Sequence, residues 1–218
     1  MNFLVISDTH FNHDKAGDVM ETYCQRPLDF TSRTHRNVMQ VLNPKTTMIH
    51  LGDVGIGKYS NWEWMIREWK STGARLILIR GNHDRNHACS WWIDHGFDFA
   101  CDYFVLRNIL FTHEPANAII KSDGHRPYSA LEGEALPFDC TLNIHGHLHN
   151  IWDGFHNLER IARDKELLGI DFTKQLKHPW QRLFALEYTD YRPVELQKFI
   201  SHPERYQATG PRKVNGGL

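Results

Sequence analysis

Apolar residues along this chain fall into short runs that stop abruptly at small polar clusters. Residues 3–7 form a brief apolar run with β-branched members, the pattern of a strand buried on both faces. Residues 46–51 and 75–80 read as further strands, and Tyr103–Leu106 with Ile109–Thr112 as a hairpin around Arg107-Asn108. Residues 140–145 and 183–188 predict the remaining strands. Helical spacing fills the gaps between them. Residues 31–42 place Val38, Val41 and Leu42 on one side, open on a Thr31-Ser32 cap and stop at Asn43-Pro44. Ser60 is expected to cap a helix in which Trp62, Met65, Ile66 and Trp69 recur at helical intervals before Gly73 closes it. Short helices are expected at 88–95 and 194–200, a surface loop at 114–139, a polar and weakly periodic segment at 150–179, and a frayed tail from 207.

Strand and helix alternate first, and strands then follow one another. That order predicts an α/β (α+β) chain, either a mixed sheet covered by helices or two such sheets packed face to face. With 218 residues, 41% of them hydrophobic, the chain suits one core, and a single domain over 1–206 with a flexible tail at 207–218 is expected.

Charge narrows the classes of partner. Twenty-five Lys+Arg against 26 Asp+Glu leave a formal charge of -1, which removes any global electrostatic attraction to long nucleic acid or to a membrane. The apolar start is too short for a signal peptide or a membrane span, so a cytoplasmic protein is expected. Cys24, Cys89, Cys101 and Cys140 form no Cys-x-x-Cys pair and read as free thiols of a reducing compartment. The 15 histidines stand out, since imidazole binds transition metals and moves protons near neutrality. His35, His87, His178 and His202 are expected on the surface.

Chemistry concentrates in five clusters: Asp8-Thr9-His10, Gly52-Asp53, Gly81-Asn82-His83-Asp84, Thr112-His113-Glu114 and Gly146-His147-Leu148-His149. Four of the five directly follow an expected strand, and in open α/β sheets the ligand site lies beyond the carboxyl ends of the strands. Asp8, His10, Asp53, Asn82, His113, His147 and His149 make seven candidate ligands, too many for one tetrahedral zinc but suited to two neighbouring ions. Asp53 is the bridging candidate, because a carboxylate has two oxygens to share. A water between such ions would ionise near neutral pH and become a nucleophile. Oxygen and nitrogen donors without thiolate favour manganese, iron, zinc or nickel over magnesium or calcium, with manganese taken first.

In this order, Asp-x-His, Gly-Asp, Gly-Asn-His-Asp, a single His and Gly-His-x-His resemble the signature of the calcineurin-like metallophosphoesterases. The motifs run from Asp8 to His149, roughly two thirds of the chain. Residues 7–13, Arg26-Pro27 and Tyr191-Arg192-Pro193 are similar to a small bacterial and phage-borne branch of predicted phosphoesterases. The resemblance implies a four-layer sandwich of two mixed β-sheets flanked by helices. It also implies that Asp8, His10, Asp53 and His149 hold one ion, and that Asp53, Asn82, His113 and His147 hold the other. His83 then matches the histidine that contacts the phosphoryl group and protonates the leaving oxygen, with Asp84 orienting it.

Asn12, His13 and Arg85 are substrate-binding candidates, each with a plain structural alternative: a capped loop for the first two, a solvated arginine for the third. Glu114 is placed to hydrogen-bond a ligand, His145 is read as structural, and Gly81 and Gly146 serve either tight turns or mere strand ends. Trp62, Trp64, Trp69, Trp91 and Trp92 are expected to pack rather than to stack on bases. The implied activity is hydrolysis of a phosphodiester or phosphomonoester, nucleotide-like and possible as a cyclic nucleotide. The alternatives are a binding scaffold with a lapsed metal site, a nuclease acting on nucleic-acid ends, and a one-metal hydrolase of other substrates.

Overall fold

The computed structural model describes residues 2–22, 24–116, 136, 138–150 and 180–206. Most of the expected loop at 114–139, nearly all of the segment at 150–179, His178 and the tail from 207 lie outside the described residues.

Two sheets carry the fold. The first has the order β4-β3-β2-β1-β9, built from β1 (Asn2–Ile6), β2 (Thr46–His50), β3 (Arg75–Ile79), β4 (Phe99–Cys101) and β9 (Val194–Glu195). β1 to β4 pair in parallel and β9 joins β1 antiparallel. Parallel strands covered on both faces read as unbroken apolar runs, and Val5, Ile6, Met48, Ile49, Leu76 and Leu78 are all buried. The second sheet has the order β5-β6-β7-β8, from β5 (Tyr103–Leu106), β6 (Ile109–Thr112), β7 (Leu142–His145) and β8 (Gln181–Leu183). Its β5–β6 pair is the expected hairpin, closed by Leu106 opposite Ile109, whereas β6, β7 and β8 run parallel.

One hydrophobic core takes in side chains of both sheets, among them Leu4, Ile6, Ile49 and Leu78 of the first and Ile109, Phe111 and Ile144 of the second. Each such buried aliphatic or aromatic side chain contributes about 1.5–3 kcal/mol relative to exposure. Helices α1 (Val19–Thr22), α2 (Phe30–Met39), α3 (Glu63–Ser71), α4 (Cys89–Asp94) and α5 (Leu196–Ser201) flank the sheets. α3 buries Met65, Ile66 and Trp69, and the Trp69 ring meets Phe11 edge-on at 5.4 Å.

Several expectations are corrected. Thr31 and Ser32 lie inside α2, whose preceding residue is Asp29, so they do not cap it; Ser32 Oγ instead donates back to the Asp29 carbonyl. Ser60 sits in a 3-10 turn, Tyr59–Asn61, and α3 starts after Trp62 without a side-chain cap. The strand expected at 183–188 ends at Leu183; Leu186–Tyr188 is a 3-10 turn. Residues 194–195 pair with β1 as β9 before α5 begins. Trp62, Trp69 and Trp92 are buried as expected, but Trp64 and Val41 are exposed. His35 is buried rather than superficial, its Nε2 2.9 Å from Glu68 and its ring stacked on Trp69. α1 and β4 went unrecognised because each is too short to establish a period.

Candidate metal centre

Asp8 follows β1, Asp53 follows β2, Asn82 follows β3, His113 follows β6 and His147 follows β7. The five polar clusters therefore meet at the carboxyl ends of parallel strands from two different sheets. Asp8, His10 and His149 form one group: Asp8 Oδ1 lies 3.8 Å from His10 Nε2 and 3.6 Å from His149 Nε2. Asp53, His113 and His147 form another, with His113 Nε2 3.2 Å from Asp53 Oδ2 and 3.1 Å from His147 Nδ1. Asn82 Oδ1 is 3.0 Å from the same His113 Nε2. Asp53 Oδ2 lies 3.6 Å from His10 Nε2 as well, so this one carboxylate oxygen borders both groups.

The backbone around these residues is strained. Asp8, His10, Asp53, His147 and His149 have φ of +53°, +43°, +56°, +69° and +49°. A side-chain-bearing residue held there costs about 1–3 kcal/mol and persists only where the surroundings over-determine it. Main-chain bonds supply that determination. Asp8 N–H donates to the Gly52 carbonyl, His10 N–H to Asp53, and Gly146 N–H to His113. His147 N–H donates to Asp8 Oδ2, which also accepts from Ser7 Oγ. At Gly81 and Gly146 the need is for space rather than for a left-handed turn. A Cβ at Gly146 would lie 2.3 Å from Asp8 Oδ2, and one at Gly81 would lie 2.1 Å from Asp53 Oδ1.

Sequence patterning missed His50, which ties two of the clusters together. Its Nδ1 accepts from Gly52 N–H at 3.1 Å, leaving its Nε2–H to donate to Thr9 Oγ1 at 2.9 Å, and Thr9 donates in turn to the Val54 carbonyl at 2.7 Å. Burial drives the His50 pKa down to about 3, keeping the ring neutral and able to do both.

Asp84 does not touch the His83 ring. Its Oδ2 accepts from the N–H groups of Asp53 and Gly81 and its Oδ1 from that of Val54, so it clamps the loops after β2 and β3 against each other. Burial first, then the Asp53 charge, pushes its pKa up to about 7. Glu114 pairs with Arg85 at 3.1 and 3.0 Å rather than with His113, whose Nδ1–H donates to the Leu51 carbonyl at 2.7 Å. Asn12 Nδ2 donates to the Ile56 carbonyl, and His13 Nε2 lies 2.6 Å from Asp18. His83 is exposed, its ring 5.4 Å edge-on from that of His10. His145 is buried against the Gly146 carbonyl, as a structural residue would be.

Divalent cations fit this arrangement. Asp8 Oδ1 and both ring nitrogens of His10 are buried without a hydrogen-bond partner, and each unmade bond of this kind costs about 1–3 kcal/mol. In the second group, His113 Nδ1–H donates to the Leu51 carbonyl and Nε2 faces the acceptors Asp53 Oδ2 and Asn82 Oδ1, so a positive charge, a proton or a metal ion, is needed at Nε2. Burial pulls the His113 pKa down, but the carboxylates around it, Asp53 ahead of Asp8 and Glu114, together raise it to about 10. The cluster thus seeks positive charge. His10 and His147 are lowered by burial to about 4 and stay available as neutral donors.

A family model described as the calcineurin-like phosphoesterase superfamily domain matches residues 1–163. A crystal structure of a protein of unknown function from Aquifex aeolicus is similar at a TM-score of 0.58 and 24% identity, covering 92% of this chain and 98% of that one. At that identity it speaks for the fold alone. No curated protein matches the sequence significantly. No helix among the described residues is long and apolar enough to cross a membrane.

Proposed function

The chain belongs to the calcineurin-like phosphoesterase superfamily, and from that premise we propose that it hydrolyses a small phosphate ester with two divalent ions, manganese first among them. Asp8, His10, Asp53 and His149 would hold one ion and Asp53, Asn82, His113 and His147 the other. When bound, the pair would supply Lewis acidity toward a phosphoryl oxygen and ionise water at neutral pH. The observation that carries this reading is Asp53 Oδ2, poised between His10 Nε2 at 3.6 Å and His113 Nε2 at 3.2 Å.

The protein's own groups do the rest. His83, exposed at the edge of the cluster with its ring 5.4 Å from that of His10, gives a proton to the departing alkoxide. Asp84 keeps the loops bearing Asp53 and Asn82 in register through its three backbone acceptor contacts. Arg85, half-buried beside the same loop, meets the anionic substrate with whatever donor capacity its Glu114 pairing leaves. His13 lies beside His10, with ring centroids 5.9 Å apart, and with Asn12 is the further candidate to meet the substrate.

The formal charge of -1 favours a nucleotide-sized diester, cyclic nucleotides included, over a long duplex. Hydrolysis of bis-p-nitrophenyl phosphate with added Mn(II), compared with Asp53→Ala, tests the reading. Equal background rates for the two proteins would overturn it. A panel of mono-, di- and cyclic nucleotides then identifies the substrate.

A further inference from the structure

Arg26 lies outside the five polar clusters, yet its guanidinium is wholly buried at the back of the first ligand group. Its Nε donates to Glu187 Oε1 at 2.8 Å, its Nη1 to the Asp8 carbonyl at 2.8 Å, and its Nη2 lies 3.1 Å from His149 Nδ1. The Phe30 ring closes the remaining face at 4.8 Å. Glu187 Oε1 is itself 3.4 Å from His149 Nδ1. One cation thus touches the main chain of Asp8 and the ring of His149, and one buried carboxylate touches both the cation and the ring.

The two contacts at His149 Nδ1 demand opposite tautomers. An arginine N–H only donates, so the Nη2 contact requires a lone pair on Nδ1 and leaves the ring proton on Nε2. Glu187 only accepts when ionised, so its contact requires the proton on Nδ1. The Arg26 guanidinium, 2.8 Å away through Nε, pairs with Glu187 as a carboxylate. Nε2 is the atom 3.6 Å from Asp8 Oδ1, and it can share an ion with that oxygen only through its lone pair. Ion binding therefore selects the Glu187 contact.

We propose that Glu187 and Arg26 are positioning residues of the first ion site: Glu187 takes the Nδ1 proton of His149 and thereby turns the Nε2 lone pair toward the ion, while Arg26 anchors Glu187 and the left-handed turn at Asp8. The inference rests on the two-ion reading above. A purely structural role is the competing account, and it makes a different forecast. Buried ion pairs are commonly replaced by apolar residues of similar volume without loss of stability, so a structural pair could be exchanged with both ion sites intact.

The test is Mn(II) titration calorimetry on the full chain and on Arg26→Met/Glu187→Leu, with long-range ¹H–¹⁵N NMR of the wild-type His149 ring in Zn(II)-loaded protein. Two Mn(II) are expected in the wild type. In the double variant one site should weaken by about 10–100-fold and the other should hold. The NMR should place the His149 proton on Nδ1. Two unchanged sites in the double variant, or a proton on Nε2 beside zinc, would overturn the proposal. If the double variant fails to melt cooperatively, Glu187→Gln and the wild-type tautomer decide alone. A wild type that binds no Mn(II) overturns the two-ion reading itself, an outcome distinct from two tight sites that ignore Glu187.

Discussion

The Asp53 carboxylate occupies the volume that a side chain on Gly81 would need, with Oδ1 2.1 Å from where a Cβ would stand. Adding one methyl group there must push Asp53 off its position between His10 and His113. A displacement near 1 Å at a reacting centre costs about 10²-fold in rate. Gly81→Ala is therefore expected to lower kcat/KM by about that factor and to reduce the Mn(II) bound per chain. Steady-state kinetics with metal analysis checks it, and an unaffected variant would mean that the loop gives way freely.

Removing His83 should discriminate among substrates. If His83 protonates the leaving oxygen, His83→Ala loses about 10²–10⁴-fold on esters of aliphatic alcohols. It should lose little on p-nitrophenyl esters, whose leaving group departs without a proton. A uniform loss across leaving groups would assign His83 to binding instead.

Metal should stabilise the fold, because the strained turns at Asp8, His10, Asp53, His147 and His149 and the unpartnered atoms of Asp8 and His10 become useful only around cations. At an ion concentration about 100 times Kd the linkage amounts to about 2.7 kcal/mol per site. For a chain of this size that corresponds to a Tm rise of about 5–10 °C. Differential scanning calorimetry with Mn(II) and with chelator should show the rise in the wild type, and only a fraction of it in Asp53→Ala.

Acid should act on the metal-free protein through Glu187. Burial opposes its ionisation, but Arg26 and His149 together outweigh it, and the folded pKa falls to about 2 from an ordinary 4.5. A lowered carboxylate pKa contributes stability that is complete above the unfolded value and is lost as pH falls toward the folded one. The window is therefore below pH 4.5, and the full contribution is about 3 kcal/mol. Urea midpoints measured in chelator at pH 6, 4.5 and 3 should fall more steeply for the wild type than for Arg26→Met/Glu187→Leu. Parallel curves would contradict it.

Elements and site differ in how much of them the sequence discloses. The central strands were legible because burial on both faces leaves no polar alternation to confuse them, as in Leu4-Val5-Ile6. The seven candidate ligands could be singled out because strand ends bring distant segments together, and the fold does gather them. His50 was not, since a histidine inside a strand looks the same whether it faces solvent or bridges Gly52 to Thr9. Arg26 and Glu187 meet only in the folded chain, 161 positions apart, and no local pattern announces such a pair. The resemblance gives Asp84 the task of orienting His83, whereas its carboxylate accepts from the N–H groups of Gly81, Asp53 and Val54. Leu186–Tyr188 has strand-like composition but turns, because Tyr188, Thr189 and Tyr191 direct their N–H groups back to Ala185 and Leu186.

Asp53 comes from the end of β2 in one sheet and His113 from the end of β6 in the other. The 3.2 Å between them is thus a measure of how the two sheets are docked, not a property of either loop. Packing between the layers, as at Phe99 of β4 against Phe104 of β5, sets that offset from a distance. The centre behaves as a vernier on the sandwich: a slip between layers too small to unfold the chain would first be read as a change in affinity for metal.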